Sequence, residues 1–120
     1  MTTPQDEFVE RFLGLPNTKE ALGWLEGSTR KKPHTLGEDE STANAIQLVE
    51  EIYAAGAVQV LAVEIDSYDE GENTGKLVIE LPANAQDREM VLGIAGKIAE
   101  SQGFDPEPDN GQRYVFVMLD

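Results

Sequence analysis

The fold is decided by residues 114–119, which read Tyr-Val-Phe-Val-Met-Leu and are apolar at every position. β-Branched and aromatic residues in such a short run are typical of a strand. A strand that has one face in water alternates between apolar and polar side chains, and this segment does not. Residues 57–65 show nearly the same pattern. We therefore expect both faces of these strands to be covered.

The neighbouring segments predict how the strands pair. Residues 57–66 and 76–81 are expected to form a hairpin closed by an acidic turn over residues 67–74. A helix over residues 84–102 and a turn-rich loop then lead to the last strand. Because a crossover that contains a helix typically connects parallel strands, we expect residues 76–81 and the last strand to be parallel. The first hairpin strand would then lie between them.

Apolar residues that recur three and four positions apart predict further helices. Two of them extend over residues 3–14 and 41–55. A shorter one is expected to be capped by Asn17 or Thr18 and to end near Gly27.

Two glycines lie inside the helix predicted over residues 84–102. That helix is expected to follow an Asn84 cap, as the first helix follows a Thr3 cap. Gly93 and Gly96 each weaken a helix by roughly 1 kcal/mol relative to alanine. We therefore expect this helix to pack very close to another element.

These elements predict an α+β fold. A small mixed antiparallel sheet and its helices would form two layers, or three if helices cover both sheet faces. The element order is α-α-(β)-α-β-β-α-β, in which the bracketed strand is a short extended piece at residues 34–36. This order is similar to the split β-α-β, ferredoxin-like plan. Such a likeness concerns the fold and carries no function.

The chain is expected to be one compact unit with three parts. Residues 1–27 form an N-terminal helical arm, residues 28–40 a polar linker loop, and residues 41–120 the α+β core domain. The second face of the sheet is covered either by a second subunit or by apolar side chains of the arm. These side chains are Phe8, Phe12, Leu22 and Trp24.

Composition excludes several classes of protein. The 120 residues include 23 Asp and Glu against 9 Lys and Arg, which gives a net charge of −14, and no cysteine. Such a charge opposes direct contact with nucleic acid phosphates and with an anionic membrane surface. No apolar run is long enough to span a membrane. The lack of cysteine excludes disulfides and thiolate chemistry and fits a cytoplasmic location. We expect a monomer or a homodimer.

Two loops concentrate carboxylates and are candidates for binding a basic protein partner. The first lies at the predicted hairpin turn, and the second lies between the last helix and the last strand, where two prolines stiffen it. A calcium-binding loop counted from residue 66 fails, because its twelfth position lacks the required glutamate. We predict no metal site. The candidate partner-binding residues are Asp66, Asp69, Glu70, Glu72, Asp105, Glu107 and Asp109.

A basic loop precedes the short strand predicted at residues 34–36. Arg30, Lys31, Lys32 and His34 are candidates for holding a phosphate or an acidic tail. The alternative is a solvated loop that pairs with carboxylates of the chain itself. His34 is the one histidine, and no nucleophile motif accompanies it. We therefore predict no catalytic residue and no cofactor.

The favoured function is a small acidic binding or adaptor domain without catalytic activity. It would act through its acidic loops or through an edge of its sheet. The alternative is a regulatory domain that binds a small molecule and dimerises through its sheet. An enzyme that uses only carboxylates, with or without a divalent cation, is a third and less favoured class.

Overall fold

The computed structural model describes residues 3–39 and 41–119, over which the chain forms a compact α+β domain. The helices of this part are α1 (Pro4–Glu10), α2 (Ala21–Glu26), α3 (Thr42–Ala54) and α4 (Ala85–Ser101). Its strands are β1 (Lys19–Glu20), β2 (His34–Leu36), β3 (Gln59–Ala62), β4 (Asp66–Tyr68), β5 (Gly71–Thr74), β6 (Lys76–Glu80) and β7 (Tyr114–Met118). The predicted α+β class is confirmed. The outer ends of the predicted arm, linker and core domain fall on residues outside the described ones.

The strands of the described residues form two sheets. In the first, β1, β3, β6 and β7 lie in this order and are all antiparallel. In the second, β5 lies between β2, which is parallel to it, and β4, which is antiparallel. The extended piece predicted at residues 34–36 is β2, whereas β1, β4 and β5 have no separate counterpart in the sequence pattern. The ferredoxin-like relation stays a prediction.

The strands β3 and β4 on one side, and β5 and β6 on the other, form one two-stranded antiparallel ribbon that runs through both sheets. Ala62 pairs with Leu77 at the end of the β3–β6 ladder. Four residues further on, Asp66 pairs with Asn73 in the β4–β5 ladder, so the register does not change. The predicted hairpin is therefore confirmed, but much of the turn expected over residues 67–74 is strand.

The ribbon bends between its two ladders. The side chain of Thr74 is buried there, where its hydroxyl donates to the Val63 carbonyl and accepts from the Lys76 amide. Glu64 has a φ of 51°, in the left-handed region that non-glycine residues seldom adopt. The side chain of Thr74 thus satisfies backbone groups that the bend leaves outside the regular ladders.

Strands β2 and β7 meet end to end along the same side of the ribbon. The Gly37 amide donates to the Thr74 carbonyl over 2.9 Å, and the Leu119 amide donates to the Gly75 carbonyl over 2.7 Å. Gly37 has a φ of +59°, and a Cβ built on it would lie 2.6 Å from the Leu119 carbonyl oxygen. Only glycine fits this junction without a shift of the backbone.

β7 lies directly beside β6 and is antiparallel to it, so the predicted parallel crossover with a strand between them is wrong. The reason is the path of the loop after α4. Pro106 lies against Gly96, and further along the loop Asp109 pairs with Arg88, about two turns closer to the start of α4. The loop therefore returns along the helix, and the chain enters β7 at the end of the sheet where β6 finishes.

The contact with Pro106 also explains one of the two helix glycines. A Cβ at Gly96 would lie 3.1 Å from the Pro106 Cβ, whereas a Cβ at Gly93 would meet nothing within 4 Å. The close approach expected of this helix is confirmed at Gly96 only.

The helix starts follow the capping rules with one exception. Thr3 and Asn84 accept backbone amides in the first turns of α1 and α4, as predicted. Helix α2 starts later than expected, because the Glu20 carboxylate caps it in place of Asn17 or Thr18.

Helices cover both faces of the β3–β6–β7 sheet. α2, α3 and α4 pack on one face, in a core that includes Leu25, Ile52, Leu77, Val91 and Val115. α1 packs on the other face, in a core that includes Val9, Phe12, Val78 and Tyr114. The expected cover by the arm is thus confirmed for α1. It is wrong for α2, whose Leu22 and Trp24 lie on the opposite face with α3 and α4.

A buried carboxylate fixes α1 to the start of β7. The Asp6 side chain accepts hydrogen bonds from the backbone amides of Arg113, at 3.0 Å to each oxygen, and of Tyr114, at 2.9 Å. Charge-assisted bonds of this kind contribute more than neutral ones. They connect residues more than a hundred positions apart and join α1 to the start of β7.

We expect Asp6→Asn to lower the free energy of unfolding by about 2 kcal/mol, because a neutral amide oxygen accepts the two backbone hydrogen bonds less strongly than a carboxylate and an NH₂ group replaces the second acceptor oxygen. Amide exchange at Arg113 and Tyr114 should become faster. The matched control is Glu7→Gln, an exposed acid in the same helical turn, which should change stability by less than about 0.5 kcal/mol. Urea unfolding with hydrogen exchange measures both, and equal effects would refute the role given to Asp6.

The two helix glycines should respond differently to alanine. Gly93→Ala is expected to stabilise the protein by about 1 kcal/mol, because it improves helix propensity at an open position. Gly96→Ala should be less stabilising than Gly93→Ala by about 1 kcal/mol or more, because the new Cβ pushes against Pro106. We therefore expect it to leave the stability unchanged or to lower it. Thermal unfolding compares the variants, and NMR shifts in residues 105–109 should appear for the second alone. Identical behaviour would contradict the close packing at Gly96.

Candidate functional site

The carboxylates of the first predicted site lie on the β4–β5 hairpin. We call residues 66–70 the hairpin tip, where Asp69 and Glu70 form the two-residue turn between β4 and β5. Asp66, Asp69 and Glu70 are all exposed. None of them forms an ion pair with another described residue, so their charges are free for an external partner.

An exposed aromatic side chain stands among these carboxylates. Tyr68 is the last residue of β4 and is 51 % exposed. Tyrosine is a residue type that contributes strongly at protein interfaces, since it combines a large contact area with a hydroxyl group. The sequence prediction did not single it out, because one tyrosine in a polar turn has no periodic signal.

Glu72, the fourth predicted residue of this loop, has its side chain bound by other residues of the protein. Its Oε1 accepts a hydrogen bond from the indole nitrogen of Trp24 over 2.9 Å and lies 3.3 Å from Nε2 of His34. The indole hydrogen bond lowers the pKa of Glu72, against an opposing effect of burial. A hydrogen bond from Ser67 and the charges of His34 and Lys32 lower it further.

His34 connects three elements. Its ring stacks on Trp24 with a centroid distance of 5.0 Å and an interplanar angle of 6°. Its Nδ1 lies 2.5 Å from the Trp24 carbonyl oxygen, and Nε2 faces Glu72. Both ring nitrogens thus face oxygen acceptors, to which an imidazolium would donate. Among residues 3–39 and 41–119, the hydrogen-bond and ion-pair partners of the two ring nitrogens are these oxygens and no hydroxyl group.

The basic loop, residues 30–34, lies against the hairpin. The Glu72 amide donates to the Pro33 carbonyl over 2.9 Å. A Cβ on Gly71 would lie 2.4 Å from the same carbonyl oxygen, so glycine is needed for this approach. The structure thus brings together the basic loop and the hairpin, which are far apart in sequence. The three cationic side chains before Pro33 are exposed, and none forms an ion pair among the described residues: Arg30, Lys31 and Lys32.

The second acidic loop, residues 105–109, lies against α4 and β7. Arg88 pairs with Asp109 over 2.6 Å and lowers the pKa of that carboxyl to about 2. Asp105 is exposed and without an ion pair in the described part of the chain. Glu107 is half-buried, and its Oε2 is buried without a hydrogen-bond partner among the same residues. Burial raises the pKa of Glu107. The three predicted residues of this loop therefore differ: Asp109 is ion-paired, Asp105 is exposed, and Glu107 is half-buried without a hydrogen-bond donor for Oε2 in the described part of the chain.

Within residues 3–39 and 41–119, no group of three or more His, Asp or Glu side chains is arranged to hold a metal ion. Neither does any helix there combine the length and the apolar character needed to cross a membrane. Comparison of the chain with family models, curated proteins and solved structures found no match.

Replacing Glu72 should test how the hairpin is anchored. Glu72→Gln is expected to lower the free energy of unfolding at pH 7 by about 1 to 2 kcal/mol, because a neutral oxygen accepts the Trp24 hydrogen bond less strongly. The exposed turn residue supplies the control: Glu70→Gln should have an effect below about 0.5 kcal/mol.

The same pair of variants predicts a pH dependence. The pKa of Glu72 is lowered in the folded state, so its stabilisation is present above the ordinary carboxyl pKa and is lost as the pH falls through the lowered value. The difference between wild type and Glu72→Gln should therefore be largest at neutral pH and should shrink as the pH falls below the ordinary carboxyl pKa of about 4.3. Urea unfolding across this range measures it. A difference that stays constant with pH would show that the carboxylate charge is not what anchors the hairpin.

Proposed function

We propose that the chain is a binding or adaptor domain without catalytic activity, and that it contacts a basic protein partner through the hairpin tip. One observation carries this proposal. Three exposed carboxylates, which form no ion pair with another described residue, lie within two residues of the exposed Tyr68 in sequence, on a hairpin whose base is fixed. Exposed carboxylates attract a cationic surface and accelerate association with it.

The fixed base supports binding by the tip. Trp24 and His34 hold Glu72 on one strand of the hairpin, and β2 pairs with that strand along its length. Asn73 adds hydrogen bonds from its side-chain amide to Thr35 and Gly37. A surface that is ordered before binding loses less conformational entropy when the partner arrives.

Tyr68 adds an aromatic ring to the hairpin tip, and this ring can make a cation–π contact in addition to the ionic attraction. A lysine or arginine over the ring of a tyrosine is attracted by its π system, at roughly 0.5 to 1 kcal/mol for exposed sites. The basic loop beside the hairpin supplies the opposite charge through Arg30, Lys31 and Lys32. A partner that places an acidic group next to its basic patch would match both surfaces.

The proposal includes the broader properties expected from the sequence. The net charge of −14 supports a protein partner rather than direct contact with nucleic acid or an anionic membrane surface. A cytoplasmic location, a monomeric or dimeric state and a relation to the ferredoxin-like plan belong to the proposal in the same way.

The test uses a labelled octalysine peptide as the basic probe and fluorescence anisotropy as the measurement. The triple variant Asp66→Asn, Asp69→Asn, Glu70→Gln should weaken binding by roughly tenfold, since each lost surface charge contributes a fraction of a kcal/mol. A control triple, Glu26→Gln, Glu50→Gln, Glu51→Gln, removes equal charge from exposed positions of α2 and α3. It should weaken binding by less than about threefold.

Tyr68→Ala gives an independent check at unchanged net charge. It should weaken binding of the same probe while leaving the unfolding free energy within about 0.5 kcal/mol, because the ring is exposed. Equal effects of the two triple variants, together with no effect of Tyr68→Ala, would reduce the interaction to unspecific charge and refute the hairpin tip as the site.

A second candidate function is a regulatory domain that binds a small molecule and dimerises through its sheet. The observation in its favour is that β7 lies at a sheet edge and that Met118 of this strand lines a polar cavity of about 470 Å³. Light scattering decides this candidate, because it requires a dimer, and it would be rejected for a protein that stays monomeric at high concentration.

A further inference from the structure

The outer edge of β7 has no strand beside it in the described structure. Arg113 accepts from the Leu81 amide and Leu119 donates to the Gly75 carbonyl, so the odd-numbered residues of this segment face β6. In an antiparallel ladder the residues between them direct their backbone groups to the other side. The amides and carbonyls of Phe116 and Met118 therefore point to the open edge.

The beginning of the same edge is already occupied. The Tyr114 amide, which also points away from β6, donates to the Asp6 carboxylate. The open part of the edge is thus confined to the second half of β7, and an added strand would pair there, beyond the contact with α1.

Aromatic side chains flank this edge on both faces of the sheet. On the α1 face, Phe8 is 38 % exposed and contacts Phe116 with a centroid distance of 5.0 Å. On the α4 face, Phe104 is 53 % exposed and lines a groove of about 210 Å³ together with Val115 and Val117. An extended chain alongside β7 would place alternate side chains against these two faces.

The groove on the α4 face also contains the unpaired carboxylate. Glu107 lines it, with Oε2 buried and without a hydrogen-bond partner in the described part of the chain. Asp105 lines the same groove and has no ion-pair partner there. A buried carboxylate without a donor is costly, and a cation or other donor placed beside it recovers that cost.

We infer that an extended basic segment of a partner protein adds as a strand to the open edge of β7, with its lysine or arginine side chains directed towards Glu107 and Asp105. Alternate apolar side chains of the same segment contact Phe8 and Phe116 on the opposite face. This inference rests on the proposed function and adds a second contact surface for the same class of partner.

Charge decides between this occupant and a second copy of the chain. Two copies paired through β7 would bring together two acidic loops on molecules that each carry a net charge of −14. Like charges across an interface are repulsive, and no exposed cation of β7 would meet Glu107 of the other copy. A basic segment supplies both the missing strand and the missing donor.

The probe is a labelled acetyl-(Val-Lys)₄-amide peptide, measured with the full chain at about 150 mM salt. The peptide should bind, and amide exchange of Phe116 and Met118 should slow by tenfold or more at saturation. A peptide of the same sequence with every backbone nitrogen methylated keeps the charge but cannot pair as a strand. Its affinity should be at least about tenfold lower.

Two substitutions in the protein itself test binding at the β7 edge. Glu107→Gln should weaken the unmodified peptide by roughly tenfold, whereas Glu51→Gln, with the same change in charge on α3, should have less than a twofold effect. Met118→Pro removes an amide that points outward, so it leaves the β6 ladder intact and should abolish protection at Phe116.

The outcomes separate the edge from the proposed function as a whole. Equal binding of the methylated peptide, or no protection of Phe116 and Met118, overturns the inference while the octalysine test of the hairpin tip can still succeed. Protection that grows with the concentration of the free protein would identify a second copy as the occupant and overturn the basic segment. Failure of both probes rejects the basic partner itself.

Discussion

The structure depends on the bend of one antiparallel ribbon, and a buried threonine makes that bend possible. The Thr74 hydroxyl donates to the Val63 carbonyl and accepts from the Lys76 amide, at the point where the regular ladder is interrupted. Because the register is the same on both sides, the ribbon supports the helices and β7 on one side and the hairpin tip on the other. The ribbon therefore carries the hairpin tip itself and also supports β7, whose outer edge is the second proposed contact surface.

The sequence predicted the elements that have a regular apolar pattern. Helix α3 and the last strand follow from such patterns almost to the residue, and the cover of α1 over the second sheet face follows from the absence of polar residues in β7. The direction of β7 did not follow, since it depends on the loop after α4. That loop returns along the helix through contacts of Pro106 and Asp109, and side chains of this kind give no periodic signal.

The candidate site was predictable in part. Composition alone identified the carboxylates, but it gave no indication of which ones are free. Glu72 pairs with Trp24, which is 48 positions away, and the exposed turn residues beside it pair with nothing in the described structure. Glu107 stands out only because its oxygen is buried between α4 and β7. Such differences arise from long-range packing, which cannot be predicted from the order of residues within a loop.

The acidic surface also bears on whether the open edge of β7 would pair with a second copy of the chain. Natural edge strands are often protected by lysine, proline or a bulge, and the apolar β7 has none of these within its own sequence. Its protection must then come from its surroundings. In our proposal, carboxylates beside the edge would repel another copy of the same acidic chain and attract a basic strand. The same charges would thus prevent self-association and select the partner, so specificity would need no further device.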